Sequence, residues 1–227
     1  MKNIAFRRIV VLLAFIVISS FASSTYALPS MQVYIPGSSA MDYGDDEDTW
    51  IYSDINKTFD MQVIASYSKK DVSVQSGTLL VTVLQGQTGT ISGLGTGTFH
   101  SDLSFLPGVV PSLNHYPLNK PLEFDYYTFD LGSFSNGTTG LWNYNADGGT
   151  IEFVSDAKGE VKTYSVDISG YTYAHFDAYA FFTDDKGSGW RANPGSHDSG
   201  AHTPEPATMS LLGLGLFGLL GFKRRNK

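Results

Sequence analysis

Apolar and polar residues alternate along most of residues 28–202, and this period of two constrains the fold more than any other feature. Residues 59–68 show it clearly: Phe59, Met61 and Val63 fall on one face, and the other face is mostly polar. A period of two matches a half-buried β-strand, and no window shows the 3.6-residue repeat of an amphipathic helix. The alternation predicts strands at 31–35, 49–53, 59–68, 78–84, 122–131, 150–155, 160–168 and 171–183.

Many short strands without helices favour the all-β class. We expect a single antiparallel β-sandwich domain, jelly-roll-like, over residues 28–192. The turn sequence from Asp156 to Gly159 predicts that residues 150–168 form a hairpin. The stretches 86–98 and 132–149 are rich in Gly, Thr, Ser and Asn, so they are predicted to be loops or irregular edges.

The first 27 residues have the three-part layout of a secretory signal peptide. Basic residues come first, an uninterrupted apolar run from Ile9 to Ile18 follows, and small residues lead to Ala27. Ten apolar residues form a helix of only about 15 Å, well short of a hydrocarbon core of roughly 30 Å, which argues against a retained anchor. We predict cleavage by signal peptidase between Ala27 and Leu28, with cleavage after Ala22 as the alternative.

The segment 204–227 has a second three-part layout. Its parts are a Pro-Glu-Pro motif, an uncharged apolar run and a basic stop: Pro204, Glu205 and Pro206; residues 207–222; and Lys223, Arg224 and Arg225. The apolar run predicts a hydrophobic anchor helix of about 24 Å. The basic stop favours the cytoplasmic side, so the domain would lie outside the membrane. Residues 193–203 are predicted to be the linker between the domain and this anchor.

This tripartite end resembles the PEP-CTERM sorting signal of Gram-negative bacteria. The resemblance covers residues 204–227 and implies recognition by exosortase, an integral-membrane cysteine peptidase. Proteins with this signal are typically surface or matrix components linked to exopolysaccharide production. The resemblance therefore implies an exported protein of the cell envelope, cell surface or extracellular matrix. The alternative is an ordinary single-pass anchor that follows a Pro-rich linker.

Three short segments of the domain are similar to the choice-of-anchor N family of bacterial surface proteins. They are residues 28–33, 175–179 and 196–198. The resemblance implies an extracellular domain with a variable C-terminal anchor, and it supplies no catalytic residues. The acidic stretch at 42–48 departs from the family pattern.

The charge and the absence of cysteine exclude several classes of function. The formal net charge is −7, and between residues 28 and 202 there are 8 basic and 21 acidic residues, a net charge of −13. We expect no nucleic-acid partner, because phosphate binding needs a basic patch. Without cysteine there is no disulfide scaffold, no thiolate zinc site and no cysteine nucleophile.

The densest charge lies at residues 42–48, where Asp45, Asp46 and Asp48 are candidate calcium ligands. Calcium takes six to eight oxygen ligands, and clustered carboxylates supply them. The spacing does not follow the EF-hand loop, and the alternative is a solvated acidic loop. We predict no cofactor, with calcium as the alternative.

His175 and Asp177 are two residues apart on a predicted strand, so they share a face about 6–7 Å apart. A small ion or a hydroxylated ligand fits between them; the alternative is a Tyr-rich surface face with a His–Asp pair. His197 and Asp198 are candidates to join them around a metal. Ser196, His197 and Asp198 do not form a catalytic triad, because a triad collects its members from distant segments.

These observations predict an exported protein with a structural or adhesive role, associated with exopolysaccharide or biofilm, and without enzymatic activity. One alternative is a calcium- or carbohydrate-binding surface module. Another is an extracellular hydrolase that uses the His and Asp residues above.

Overall fold

Thirteen β-strands make up most of the part of the chain that the structure describes. The structure is a computed structural model, and it describes residues 28–42, 48–55, 57–68, 71–107, 115 and 117–203. The strands run as follows: β1 Met31–Tyr34, β2 Ser39–Asp42, β3 Asp48–Tyr52, β4 Phe59–Tyr67, β5 Asp71–Leu84, β6 Thr90–Ser92, β7 Thr98–His100, β8 Phe124–Phe134, β9 Thr138–Asn145, β10 Thr150–Ser169, β11 Tyr173–Asp184, β12 Gly187–Ala192 and β13 Ser199–His202. Two short 3-10 turns, Pro121–Glu123 and Gly195–His197, complete the assigned elements. The all-β prediction is confirmed.

The strands form two sheets. The five-stranded sheet has the order β1-β4-β10-β6, with β9 also paired to β10. The eight-stranded sheet has the order β2-β3-β13-β11-β5-β8-β7, with β12 also paired to β11. Neighbouring strands are antiparallel except β3 and β13, which are parallel. The jelly-roll arrangement stays a prediction.

One apolar core receives side chains from both sheets. Met61 and Val63 of β4 contribute from the smaller sheet, and Leu79 of β5 and Phe176 of β11 contribute from the larger one. The alternation predicted these inward faces correctly, because every second residue from Phe59 to Tyr67 and from Ala174 to Phe182 packs in this core. Full burial of a side chain such as Phe176 contributes roughly 1.5–3 kcal/mol, so such alternating positions hold the sheets together.

The predicted hairpin at 150–168 is wrong, because β10 runs through it as one strand. Gly159 does not make a turn; it allows a close approach between strands. A Cβ added at Gly159 would lie 2.0 Å from the carbonyl oxygen of Ala65 on β4. The local irregularity lies in β10 itself, where an advance of four positions from Val154 to Lys158 corresponds to an advance of only two positions of β9, from Leu141 to Thr139.

Three further stretches are more ordered than predicted. The supposed loop 132–149 contains the end of β8 and the whole of β9, and the supposed loop 86–98 contains β6. The supposed linker 193–203 contains β13, which lies between β3 and β11. The fold therefore extends to His202 and does not end at residue 192.

The predicted signal peptide at 1–27 and the predicted anchor at 204–227 lie outside the described residues, as do Ala27 and the Pro204-Glu205-Pro206 motif. Within the described ranges, no helix is long and apolar enough to cross a membrane.

Candidate metal centre

Four side chains with metal-binding atoms converge on the outer face of the eight-stranded sheet, the face that points away from the main core. They are His115, His175, Asp177 and Asp198, and one ligand atom from each lies within 4.8 Å of the other three. Their side chains are between 0% and 4% exposed. Charged residues are rarely buried so completely unless they are paired or bind a metal.

The fold brings the four residues together from distant parts of the chain. His175 and Asp177 lie on the same face of β11, as their spacing predicted. β13 pairs with β11 so that Ser199 faces Phe176, and the residue before β13, Asp198, falls beside Asp177. His115 comes from the connection between β7 and β8.

The same connection covers this face of β11. Its apolar residues pack onto a second buried cluster formed by outward-facing residues of the large sheet: Leu103, Phe105, Leu106 and Leu118 from the connection, and Leu80, Phe124, Tyr126 and Tyr179 from the sheet. His175 and Asp177 are therefore 0% exposed. The expected Tyr-rich surface face is wrong, because the sequence does not show that a connection covers it.

The distances within the centre are short and similar. Nε2 of His115 lies 2.9 Å from Oδ1 of Asp177 and 3.3 Å from Oδ2 of Asp198. Nε2 of His175 lies 3.3 Å from Oδ2 of Asp177 and 3.3 Å from Oδ2 of Asp198. Both imidazoles therefore point the same ring nitrogen at the same two carboxylates.

Only part of this contact set has hydrogen-bond geometry. The contact between His115 and Asp177 qualifies as a hydrogen bond. By contrast, Nε2 of His175, Oδ2 of Asp177 and both carboxylate oxygens of Asp198 are buried with no partner in hydrogen-bonding geometry. Buried polar atoms without partners are uncommon in native proteins, and each one calls for an explanation such as an ion.

Burial and charge oppose one another at each group. Burial alone would lower the pKa of His115, but Asp177 and Asp198 outweigh it and raise the pKa to about 9. Burial likewise opposes the charged form of His175, yet Asp198 and Asp177 raise its pKa to about 10. Burial raises the pKa of Asp198, whereas His175 and His115 hold the pKa of Asp177 well below its usual range. The centre thus attracts positive charge.

Neighbouring groups fix the orientation of these side chains. Asn193 donates from Nδ2 to Oδ1 of Asp177 over 3.0 Å, and its Oδ1 accepts from the backbone N–H of Ala178 over 2.6 Å. The hydroxyl of Tyr173 lies 3.4 Å from Nδ1 of His175. Such contacts leave Nε2 of His175 to face the centre.

His197 does not join the centre, contrary to its role as a candidate. Its Nε2 lies 3.0 Å from Oδ1 of Asn143 and its Nδ1 lies 2.9 Å from Oγ of Ser196. Burial lowers its pKa to about 4, so the ring is neutral at pH 7. His197 ends the 3-10 turn and Asp198 is the extended residue that follows it, so the two neighbouring side chains reach different partners.

Of the acidic candidates for calcium, only Asp48 is among the described residues, and it does not belong to the centre. Asp48 begins β3, and its backbone N–H donates to Oδ1 of Asp147 over 3.3 Å. Asp45 and Asp46 lie outside the described residues. Sequence reasoning missed His115, because a lone histidine in a connection carries no spacing signal.

Two surface features stand apart from the centre. Trp142 of β9 and Phe153 of β10 form a cross-strand pair, with ring centroids 5.2 Å apart, and they are 47% and 55% exposed. On the other sheet, an open groove of about 440 Å³ is lined by hydroxyl-bearing and aromatic residues that include Thr78, Thr128 and Phe105.

The tail decides how the protein is sorted. Residues 202–225 match the family model of the PEP-CTERM protein-sorting motif. The chain carries an exosortase sorting signal. The protein is thus exported and associated with the cell envelope, and exosortase is its processing enzyme. No curated protein matches the chain, and the resemblance to the choice-of-anchor N family stays a prediction.

Proposed function

We propose that this is a structural or adhesive protein of the cell surface or extracellular matrix of a Gram-negative bacterium, associated with exopolysaccharide. Signal peptidase would remove residues 1–27, the β-sandwich would be the displayed part, and the tail would deliver it to exosortase. The observation that supports this proposal is the sorting motif at 202–225, which begins at the end of the last strand.

The position of β13 supports display of a folded domain. β13 is an interior strand, paired with β3 on one side and β11 on the other. The backbone N–H of Thr203 still donates to the carbonyl of Thr172 over 3.0 Å. Cleavage beyond residue 204 would therefore leave every described strand intact.

Burial of the His and Asp side chains supports a role without catalysis. A hydrolase needs its acid, base or nucleophile within reach of substrate. His175, Asp177 and Asp198 are 0% exposed, and the β7–β8 connection covers them. A blank result for the wild type against glycoside, ester and peptide substrates fits this proposal, whereas hydrolysis lost in His175→Ala with the fold intact contradicts it.

The test is the intact mass of the protein recovered from a host that contains an exosortase. We expect the wild type to lose residues beyond the motif, and Pro204→Ala/Glu205→Ala to keep its tail. Pro107→Ala/Glu152→Ala, the same substitutions within the domain, serves as the matched control and should be processed normally. A tail retained in the wild type would indicate a plain anchor and contradict the proposal.

A carbohydrate-binding role is the second candidate, favoured by the exposed pair of Trp142 and Phe153. Exposed aromatic rings can stack on sugar rings, and Trp142 and Phe153 offer two neighbouring ring faces tilted by 57° to each other. We expect Trp142→Ala to weaken co-sedimentation with purified exopolysaccharide by about tenfold. Phe99→Ala removes an equally exposed ring on β7 and should leave co-sedimentation unchanged; equal losses in both variants would contradict a specific surface.

A further inference from the structure

The four side chains of the candidate metal centre lie close enough together to bind one ion, since one ligand atom from each lies within 4.8 Å of the other three. Three of the four contacts between an imidazole nitrogen and a carboxylate oxygen are 3.3 Å, and the fourth is 2.9 Å. If the groups formed separate ion pairs, each imidazole nitrogen would instead lie close to one carboxylate oxygen and farther from the other carboxylate. Nε2 of His175 is equidistant from two carboxylates and hydrogen-bonds neither.

The 3.3 Å spacings are of the length expected between two ligands of one small metal ion. Zinc binds histidine nitrogen at about 2.0–2.1 Å and carboxylate oxygen at about 2.0–2.2 Å, so tetrahedral ligands lie roughly 3.3–3.5 Å apart. The 3.3 Å contacts have this length without any movement of the backbone. Asp177 faces His115 with Oδ1 and His175 with Oδ2, so a small rotation of its carboxylate would present one oxygen to a shared ion.

The charges of the centre favour a divalent cation. Asp177 and Asp198 lie side by side on neighbouring strands, and like charges in that position destabilise a sheet. Two ionised carboxylates and two neutral imidazoles carry a net charge of −2, which one divalent ion neutralises. The same ion would provide partners for Nε2 of His175, Oδ2 of Asp177 and the buried oxygens of Asp198.

The donor set selects the metal. Calcium and magnesium prefer sites made entirely of oxygen ligands, whereas two imidazoles favour zinc and its first-row neighbours. Four protein ligands without an exposed position are typical of a structural zinc site, since catalytic sites keep one position for water. The centre is closed in this sense, as its side chains are at most 4% exposed.

We propose that His115, His175, Asp177 and Asp198 bind a structural zinc ion that fastens the β7–β8 connection and the start of β13 to β11. This goes beyond sorting and display, and it does not depend on either. Asn193 and Tyr173 act as outer partners: Asn193 orients Asp177, and Tyr173 holds the ring of His175. The ion would connect three segments that no single sheet pairing joins.

The first experiment uses the wild-type protein, purified from the envelope fraction in mild detergent without chelators. Elemental analysis should find about one zinc per chain. After chelation, added zinc should raise the melting temperature, whereas calcium and magnesium should not. Cobalt should also bind and give the intense visible absorption of a tetrahedral site. Metal-free protein whose melting temperature is unchanged by zinc would overturn the proposal and favour two protonated imidazoles as the carboxylate partners.

The second experiment compares variants of two proposed ligands with a histidine variant outside the centre. His115→Gln removes one ligand from a connection and leaves every strand unchanged, and Asp198→Asn keeps the shape of its side chain. We expect each to weaken zinc binding by more than 100-fold, beyond the 10–100-fold typical of outer partners. His100→Gln replaces a histidine of β7 outside the centre and should bind like the wild type. Retention of one zinc per chain by both His115→Gln and Asp198→Asn would contradict the assignment.

Discussion

Asp177 and Asp198 share the same two histidines: Nε2 of His115 lies 2.9 Å and 3.3 Å from their nearest oxygens, and Nε2 of His175 lies 3.3 Å from each. This arrangement places two buried carboxylates on adjacent positions of β11 and the β13 start. Two buried carboxylates this close need compensating positive charge, which either protonated imidazoles or the proposed zinc ion would supply.

Removal of zinc should destabilise the domain. A ligand that binds only the folded state at 100 times its dissociation constant adds about 2.7 kcal/mol to the free energy of unfolding. We expect urea unfolding of the wild type to show a gain of this order when zinc is restored to chelated protein. Asp198→Asn should show almost none, and an equal gain in both proteins would place the zinc elsewhere.

Asn193→Ala should weaken zinc binding and also destabilise the fold. The substitution removes the donor to Asp177 and leaves the buried N–H of Ala178 without its acceptor. An unsatisfied buried group costs about 1–3 kcal/mol, and loss of an outer partner weakens metal affinity about 10–100-fold. Isothermal titration with zinc and urea unfolding measure the two effects. Asn136→Ala, on an exposed turn, is the control and should change neither.

Gly159→Ala should destabilise the domain by about 1–3 kcal/mol or more, because the new Cβ would lie 2.0 Å from the carbonyl of Ala65 and 2.9 Å from Leu141. Gly189→Ala is the matched control, since no atom lies within 4 Å of a Cβ there. Thermal unfolding of both variants checks the prediction. Equal melting temperatures would contradict the prediction, because β4 and β10 would then accommodate the new Cβ without loss of stability.

Lys162→Met should loosen the contact between the sheets. The Nζ of Lys162, on β10, donates to the carbonyl of Leu131 and, over 2.8 Å, to that of Ser133, both on β8. Hydrogen bonds to a charged group are worth about 1.5–3 kcal/mol, less where solvent reaches them, so we expect a loss of about 1–2 kcal/mol in urea unfolding. Lys158→Met, on the same strand, should cost less than half as much, and the reverse order would contradict this role.

The sequence predicted local structure well and long-range structure poorly. Alternation located β4 and β11, including the inward position of Phe176, because burial of one face imposes a period of two. The predicted turn at Asp156 to Gly159 was wrong. In the sequence, a glycine that permits close contact between strands cannot be told apart from a glycine that makes a turn. The tail was predicted correctly because its three parts are contiguous.

The metal centre was only half predictable for a related reason. The spacing of His175 and Asp177 placed them on one face, but their burial depends on a connection more than 50 residues away in the chain. Asp198 joins them through the pairing of β13 with β11, which no local pattern encodes. His115 has no neighbour in the sequence that marks it, so only the folded chain reveals it.

The interior position of β13 ties completion of the large sheet to the residues just before the sorting signal. Its strand partners β3 and β11 lack their shared neighbour in any chain without residues 199–202. If export proceeds from the N-terminal side, the sheet would close only shortly before the motif at 202–225 follows. A chain interrupted before residue 199 would then have neither a finished sheet nor a signal for exosortase.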